Sequence, residues 1–133
     1  TEEELNAAFK PNTKVMFGET IANPALTVLD IELFAKVAHE HGVPLVVDNT
    51  FPTPVNCRPI EWGADIVTHS TTKYMDGHGA ALGGAIIDGG HFDWITELHM
   101  LRNLEKKAHS SRNVPLSLCV ISVPCSPRTV LSS

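Results

Sequence analysis

The sequence predicts an α/β domain built on a mainly parallel sheet with flanking helices. Short apolar runs alternate with an amphipathic helical pattern, and the run 43–47 is a continuous aliphatic stretch typical of a strand covered on both faces. Polar residues gather where the predicted strands end, as they do at the ligand-binding edge of open α/β sheets. With 133 residues, the chain can form one domain or part of a larger one.

The first half of the chain predicts a strand, a loop and a helix, in that order. The apolar run 14–18 predicts a buried strand. The loop that follows, residues 19–24, ends in Asn-Pro, a pair that disfavours helical geometry. Apolar residues then recur at helical spacing until Gly42, so we expect a helix that begins after an N-cap at Thr27 or at Asp30.

Three further strands and a helical turn are expected after this helix. They are the strand 43–47, the helical turn 59–62 and the strands 64–68 and 85–87. We expect the compact unit to cover residues 13–94. Beyond it, residues 95–107 can be drawn as a basic helix, and 116–123 is a short apolar run.

Composition restricts the class of protein. The net charge is -5 and no run of Lys or Arg occurs, so a nucleic-acid partner is not expected. No apolar run approaches the ~20 residues of a membrane span, and the acidic start lacks the features of a signal peptide. The three cysteines have no C-x-x-C spacing, so we expect reduced thiols rather than disulfides or structural zinc. These features predict a cytoplasmic protein without a membrane partner.

Two polar residues that follow predicted strands, Asp48 and Lys73, are the candidates for chemistry. A carboxylate at the end of a buried strand is costly to desolvate unless it meets a cation or hydrogen-bond donors, and a local Asx turn would also satisfy it. Lys73 follows the hydroxyl residues 70–72, and its plain alternative is an exposed lysine. Together the amine, carboxylate and hydroxyls suit pyridoxal 5'-phosphate (PLP), which needs an imine partner, a counter-charge at its ring nitrogen and phosphate ligands.

Other patterns are weaker. The Gly-rich stretch 77–84 has one residue too many between its glycines for a dinucleotide fingerprint. His39 and His41 lie two apart on the predicted helix and therefore diverge, and the remaining histidines have no metal-ligand spacing, so no metal is expected. Cys57 has no identifiable base, which favours a loop or buried thiol over a nucleophile.

The polar residues at the strand ends belong to three longer blocks of sequence. These are residues 17–24 (FGETIANP), 46–51 (VVDNTF) and 69–74 (HSTTKY). In this order they resemble the Cys/Met-metabolism family of PLP enzymes, and the resemblance covers about residues 13–94. It implies part of the large PLP-binding domain of a fold-type I enzyme, similar to aspartate aminotransferase. We therefore assign residues 1–94 to a partial PLP-binding domain and residues 95–133 to a divergent tail.

The resemblance implies catalytic and cofactor-binding roles. Lys73 would be the Schiff-base lysine and the catalytic proton carrier. Asp48 would pair with the pyridinium nitrogen. Ser70 and Thr72 match the family's phosphate-contacting hydroxyls.

Three more residues match the family's pattern around the ring and the substrate. Asn23 matches an asparagine near the cofactor's 3-hydroxyl and the substrate carboxylate. Thr50 matches a residue that helps to seat the ring. Glu19 matches a glutamate to which we give a structural, supporting role.

The resemblance also implies an activity. The wording of the three blocks is most similar to family members that replace the γ-substituent of O-acetyl-L-homoserine with sulfide, giving L-homocysteine and acetate. Activities of the methionine γ-lyase and cystathionine γ-synthase types remain alternatives. The implied partners are a small amino-acid substrate, sulfide and further copies of the subunit, arranged as a dimer of dimers.

Several parts of complete family members cannot be located in this chain. The family places a phosphate loop and a ring-stacking tyrosine before this segment, and a substrate-binding arginine after it. A neighbouring subunit also completes the site with a tyrosine and an arginine. We therefore expect the chain to be a fragment that is inactive by itself; the alternative of another class is a non-enzymatic α/β fragment.

Overall fold

The computed structural model describes residues 1–93 and 120–122, which form a single five-stranded sheet with helices. The strands lie in the order β1-β2-β3-β4-β5 across the sheet. The strands are β1 (Met16–Glu19), β2 (Leu45–Asp48), β3 (Ile66–Ser70), β4 (Gly84–Asp88) and β5 (Val120–Ser122). The helices are α1 (Glu2–Ala8), α2 (Ile31–Glu40), α3 (Thr53–Asn56) and a 3-10 helix, Pro59–Trp62.

The sheet is mixed and mostly parallel, which confirms the predicted fold class. β1 pairs with β2, β2 with β3 and β4 with β5 in parallel. β4 runs antiparallel to β3, with Ser70 opposite Gly84. The loop between them turns back on itself, and the Thr71 N–H donates to the Gly83 carbonyl at 3.0 Å.

Helix α2 covers one face of the sheet and builds the core. Its N-cap is Asp30, whose Oδ1 accepts from the Leu33 N–H at 3.0 Å; of the two predicted start points, Asp30 is therefore correct. The helix is followed by Gly42, which adopts a φ of 68° that glycine accommodates without strain. The core residues are Ile31, Ala35, Ala38, Val43, Leu45, Val47, Ala64 and Val67. Each large aliphatic side chain buried here contributes about 1.5–3 kcal/mol.

The predicted compact unit of residues 13–94 begins too late, because α1 packs against α2. Phe9, at the end of α1, stacks on His41 with ring centroids 3.9 Å apart. The Lys36 amine also contacts the Glu2 carboxylate at 2.7 Å. Since α1 has no buried residue, it shows no apolar periodicity, and its sequence resembled only a polar start.

The other predicted elements have different outcomes. The helical turn 59–62 is confirmed as a 3-10 helix, and α3 forms between the strand 43–47 and this turn, where no helix was predicted. The predicted helix 95–107 lies outside the described residues. β5 falls within the predicted apolar run 116–123. In the described part of the chain, no helix has the length and apolar content needed to cross a bilayer.

The second face of the sheet is less well covered than the continuous apolar run 43–47 predicted. Phe17, Val46, Ile66 and Ile86 alternate with the core residues and lie on this second face. None of them is buried among the described residues, and Phe17 is 57% exposed. The run 43–47 is typical of a strand covered on both faces, but among the described residues only one face of this strand is covered.

Candidate active site

The carboxyl ends of β1, β2 and β3 lie at one edge of the sheet, because these strands are parallel. A cavity of about 170 Å³ opens at this edge. Every predicted site residue except Thr72 lines it. The lining residues are Glu19, Ile21, Asn23, Asp48, Thr50, Phe51, Ser70 and Lys73.

Asp48, the last residue of β2, is both a turn residue and a cavity residue. Its Oδ1 accepts from the Thr50 N–H at 2.9 Å, which is the Asx turn that the sequence offered as an alternative. The side chain is half-buried and still lines the cavity. The two interpretations are therefore compatible, since the turn fixes the carboxylate at the cavity wall.

Thr50 connects the β2 loop to the end of β3. Its Oγ1 accepts from the Ser70 N–H at 2.8 Å. This bond uses the backbone N–H of Ser70 and leaves its side chain out of the contact, and Ser70 lines the cavity. Asp48, Thr50 and Ser70 are thus fixed relative to one another by two short hydrogen bonds.

Lys73 lies in the turn that follows β3. Its N–H donates to the Ser70 carbonyl at 3.2 Å, and its own carbonyl accepts from the Gly77 N–H at 2.8 Å. The residue is exposed, and within residues 1–93 no carboxylate lies within ion-pair distance of its amine. Among the described residues, the amine therefore has no carboxylate partner at the cavity that it lines.

Thr72 is the predicted site residue that the structure does not bring to the cavity. Its hydroxyl accepts from the Gly83 N–H at 2.9 Å and donates to the Gly83 carbonyl at 3.3 Å. These bonds close the loop 71–83 at its base. The spacing to Lys73 could not reveal this, because the partner lies 11 residues further along the chain.

Glu19 and Asn23 bound the cavity on the β1 side. One carboxylate oxygen of Glu19 accepts from the Asn23 N–H at 3.0 Å. This bond holds the Asn23 backbone against the end of β1. The supporting role that the resemblance implies for Glu19 stays a prediction.

Sequence reasoning did not assign Ile21 or Phe51 to the site. Both line the cavity and give it an apolar wall. Phe51 also meets Tyr74 edge to face, with ring centroids 5.5 Å apart. The position of Phe51, three residues after Asp48, is the sequence signal that could have found it.

His69 lies behind the cavity on the core side of β3. It is 5% exposed, and its Nδ1 has no hydrogen-bond partner among the described residues. Burial lowers the pKa of His69, while the negative charge of Asp48 opposes this effect. His69 is therefore held mainly in its neutral form next to the site.

The remaining titratable candidates have structural partners. His39 contacts the Asp65 carboxylate at 2.9 Å and His41 contacts Phe9, so the two histidines diverge as predicted. Burial raises the pKa of the Cys57 thiol, which disfavours a nucleophilic thiolate. In the part of the chain that the structure describes, no group of three His, Cys, Asp or Glu residues is placed to hold a metal ion.

The donor set of the cavity fits PLP. Lys73 supplies an amine, Asp48 a carboxylate and Ser70 a hydroxyl, and the apolar wall of Ile21 and Phe51 suits an aromatic ring. These are the groups needed for a covalent link, a protonated ring nitrogen and a phosphate ligand. The cavity thus contains the functional groups that PLP needs, because Lys73 and Asp48 line the same cavity.

A lysine in the turn after β3 and a carboxylate at the end of β2, sharing one cavity of a mostly parallel α/β sheet, fit the class of PLP-dependent enzymes of fold type I. Residues 1–117 match the family described as Cys/Met metabolism PLP-dependent enzyme. The chain belongs to this family. The match extends beyond residues 13–94 on both sides.

Individual relatives support the same assignment. The chain is 55% identical over 95 residues to O-acetyl-L-homoserine sulfhydrylase of Corynebacterium glutamicum, covering 71% of this chain. It is 48% identical over 100 residues, 74% of this chain, to L-methionine gamma-lyase of Porphyromonas gingivalis. A Campylobacter jejuni crystal structure, described as an O-acetylhomoserine (thiol)-lyase with N'-pyridoxyl-lysine-5'-monophosphate, matches with a TM-score of 0.61 at 37% identity.

The chain spans only a part of each of these proteins. The match covers 22% of the C. glutamicum sulfhydrylase and 25% of the P. gingivalis lyase. It covers 63% of this chain and 21% of the C. jejuni protein. The segment thus shows the family and spans about a fifth to a quarter of each of these proteins.

Proposed function

We propose that this chain is part of a PLP-dependent enzyme that replaces the γ-acetoxy group of O-acetyl-L-homoserine with sulfide, giving L-homocysteine and acetate. The observation that carries the proposal is the cavity shared by Lys73, Asp48 and Ser70. The 55% identity to a sulfhydrylase supports the choice of substrate. In this reaction the Cγ–O bond to acetate breaks and a Cγ–S bond forms.

Lys73 and Asp48 have the central roles in the proposed site. PLP, when bound, supplies an electron sink for carbanions formed at the substrate. The Lys73 amine holds the cofactor covalently and later moves protons at the substrate's α and β carbons. Asp48 keeps the ring nitrogen protonated from its fixed place in the Asx turn.

The other predicted residues complete the cofactor site. Ser70 and Thr72 contact the phosphate, and the Thr72 hydroxyl would exchange its bonds with Gly83 for this contact. Thr50 seats the ring beside Asp48. Asn23 binds near the 3-hydroxyl and the substrate carboxylate, and Glu19 supports the Asn23 backbone.

The larger assembly is also part of the proposal. Residues 1–94 form a partial PLP-binding domain, followed by the tail 95–133, of which residues 95–117 still match the family, in a cytoplasmic homo-oligomer built as a dimer of dimers. Its partners are the amino-acid substrate, sulfide and other subunits, without nucleic acid or membrane. Because the family completes its site with residues outside this segment, we expect residues 1–133 alone to be inactive. Correct orientation of the substrate can lower the activation barrier by about 7–11 kcal/mol, and the chain alone would lose this contribution.

The covalent link can be tested on the chain itself. Borohydride reduction after incubation with PLP should leave one stable adduct, which peptide mapping should place on Lys73. Lys36 is a matched control, because its amine is ion-paired with Glu2. The variant Lys73→Ala should lose the adduct and Lys36→Ala should keep it. An adduct mapped to Lys36 or Lys106 would refute the assignment.

The reaction can be tested in a chimera that carries this segment in place of the matched 95 residues of the C. glutamicum sulfhydrylase. With O-acetyl-L-homoserine and sulfide, we expect homocysteine and acetate. The related γ-lyase makes γ-elimination the second candidate. Release of 2-oxobutyrate without homocysteine would favour it and overturn the sulfhydrylase proposal. Cysteine in place of sulfide tests the cystathionine γ-synthase type.

A further inference from the structure

Behind the cavity, on the core side of the sheet, lies a buried polar pair formed by Thr20 and Asn49. Thr20 is 4% exposed and Asn49 is fully buried. The Thr20 hydroxyl donates to the Asn49 Oδ1 at 2.9 Å, and the Asn49 amide donates to the Cys57 carbonyl at 2.8 Å. Burying such groups carries a desolvation cost that apolar side chains would avoid. The pair therefore calls for an explanation other than core packing.

Each member of the pair is the chain neighbour of a site residue. Thr20 follows Glu19 and Asn49 follows Asp48, so cavity residues alternate with core residues at both strand ends. Backbone bonds extend the connection, because the Thr20 N–H donates to the Asp48 carbonyl and the Asn49 N–H to the Thr68 carbonyl, each at 2.9 Å. The side-chain pair thus joins the ends of β1 and β2. The Asn49 amide also connects them to the end of α3 through its bond to the Cys57 carbonyl.

The site residues on the cavity side depend on this backbone. The only side-chain bond of the Asp48 carboxylate among the described residues is the Asx turn to the Thr50 N–H. Thr50 in turn accepts from the Ser70 N–H. A rotation of the backbone at Asn49 would therefore displace the Asp48 carboxylate and the Thr50 hydroxyl together.

We infer that Thr20 and Asn49 are positioning residues that fix the Asp48 carboxylate for the ring nitrogen of the cofactor, an inference that rests on the proposed function. The hydroxyl of Thr20 orients the Asn49 amide, and the anchored amide fixes the turn 48–50. Neither side chain touches the cavity. Their effect reaches it through the backbone of the turn.

The first test uses amide hydrogen exchange of the 133-residue chain without cofactor. Thr20→Val should accelerate exchange at the Thr50 and Ser70 amides at least tenfold relative to the amides of α2, whereas Thr20→Ser should remain close to wild type. Thr13→Val is a matched control, because that hydroxyl accepts a local bond from the Lys10 N–H far from the site. Unchanged exchange rates at the Thr50 and Ser70 amides, or an equal acceleration of exchange at all amides, would overturn the inference.

Asn49→Asp provides a second variant that keeps the acceptor for Thr20 and removes the donor to the Cys57 carbonyl. Asn49→Asp should accelerate hydrogen exchange at the Thr50 amide relative to the amides of α2. A wild-type exchange pattern in this variant would show that the anchor to α3 is not needed and would overturn that part of the inference.

The second test measures PLP affinity in the chimera that carries this segment. Thr20→Val should weaken PLP binding about tenfold and shift the pH dependence of the bound cofactor's absorption, and Thr20→Ser should restore both. If the wild-type chimera forms no adduct at Lys73, the proposed function fails, while the exchange result still decides the positioning role. If wild type and Thr20→Val bind PLP equally with equal absorption profiles, the positioning role fails and the proposed function stands.

Discussion

Asp65 is a buried carboxylate that the fold retains for its backbone contacts. It is 2% exposed, and its Oδ2 accepts from the Leu45 N–H at 2.7 Å and contacts the His39 Nε2 at 2.9 Å. One side chain thus links the start of β2, the last turn of α2 and the approach to β3. A buried carboxylate is stable only with such partners.

Replacement of Asp65 should therefore destabilise the chain. Asp65→Ala leaves the Leu45 N–H without an acceptor in the core, which should lower the free energy of unfolding by about 2–3 kcal/mol. Asp65→Asn keeps one oxygen acceptor and should cost less. Urea unfolding measures both, with the exposed Glu40→Ala as a control expected to stay near wild type. Equal costs for Asn and Ala would contradict the role of the Leu45 bond.

His69 makes stability depend on pH. Because burial lowers its pKa, the unfolded chain binds a proton near pH 6.5 before the folded chain does. Stability should consequently fall as the pH decreases through about 6.5. His69→Gln should reduce this fall between pH 7.5 and 5.5, whereas the exposed His78→Gln should not. Identical pH slopes for wild type and His69→Gln would exclude this account.

The site was predictable wherever it depends on strand ends. Asp48 and Ser70 end parallel strands, and parallel strands bring their carboxyl ends to the same edge whatever the loops do. Thr72 and Phe51 lie in loops, and their positions depend on contacts with Gly83 and Tyr74 that no local pattern encodes. The strand-end pattern therefore pointed to Asp48 and Ser70, whereas Glu19, Asn23 and Thr50 were assigned through the resemblance and part of the cavity wall was missed.

At the scale of elements, Gly63 sets the distance between the 3-10 helix and α2. Its φ is 100°, and a Cβ atom built on it would lie 2.9 Å from the Ala35 Cβ. Gly42 has a similar left-handed backbone, with a φ of 68°, but nothing lies within 4 Å of an added Cβ. The two glycines separate the effect of backbone strain from that of close packing.

Alanine at these two positions should accordingly differ in effect. Gly42→Ala should cost about 1 kcal/mol from the left-handed conformation alone. Gly63→Ala should cost this amount plus about 1–3 kcal/mol for overpacking against α2. Thermal or urea unfolding of the two variants gives the comparison, and a Gly63 variant no less stable than the Gly42 variant would contradict the packing argument.

The elements that the sequence predicted are those with an apolar period. α2 has a buried stripe and a capping Asp30, and both signals are local. α1 has no buried residue, so its helix was invisible to periodicity, although its start carries a capping box of Thr1 and Glu4. The direction of β4 could not be predicted, because the run 85–87 looks the same in a parallel and an antiparallel strand.

At the scale of the whole molecule, the second face of the sheet is left uncovered by the described residues, 1–93 and 120–122. Phe17 is 57% exposed there, beside the half-buried Val46. Apolar surface of this kind favours contact with another chain. The C. glutamicum and P. gingivalis relatives are about four to five times as long as the segment that matches them.

We therefore expect residues 1–133 to self-associate through this face. Phe17→Ser should shift the population toward monomer in sedimentation velocity experiments over a range of concentrations. Val55→Ser is a matched control, because Val55 is 87% exposed but lies on α3. A wild-type chain that stays monomeric throughout, or a Val55 variant with the same effect as Phe17→Ser, would contradict this prediction.

The loop that carries Lys73 leaves and re-enters the sheet at one place. Ser70 and Gly84 face each other across β3 and β4, and bonds between Thr71 or Thr72 and Gly83 close the base of the loop. Its far side, around residues 76–82, can thus gain or lose residues without displacing Asp48 or Glu19, which lie on other strands. Natural or engineered changes in the length of the loop 71–83 would therefore alter the surroundings of Lys73 while the Asp48 and Glu19 carboxylates keep their positions.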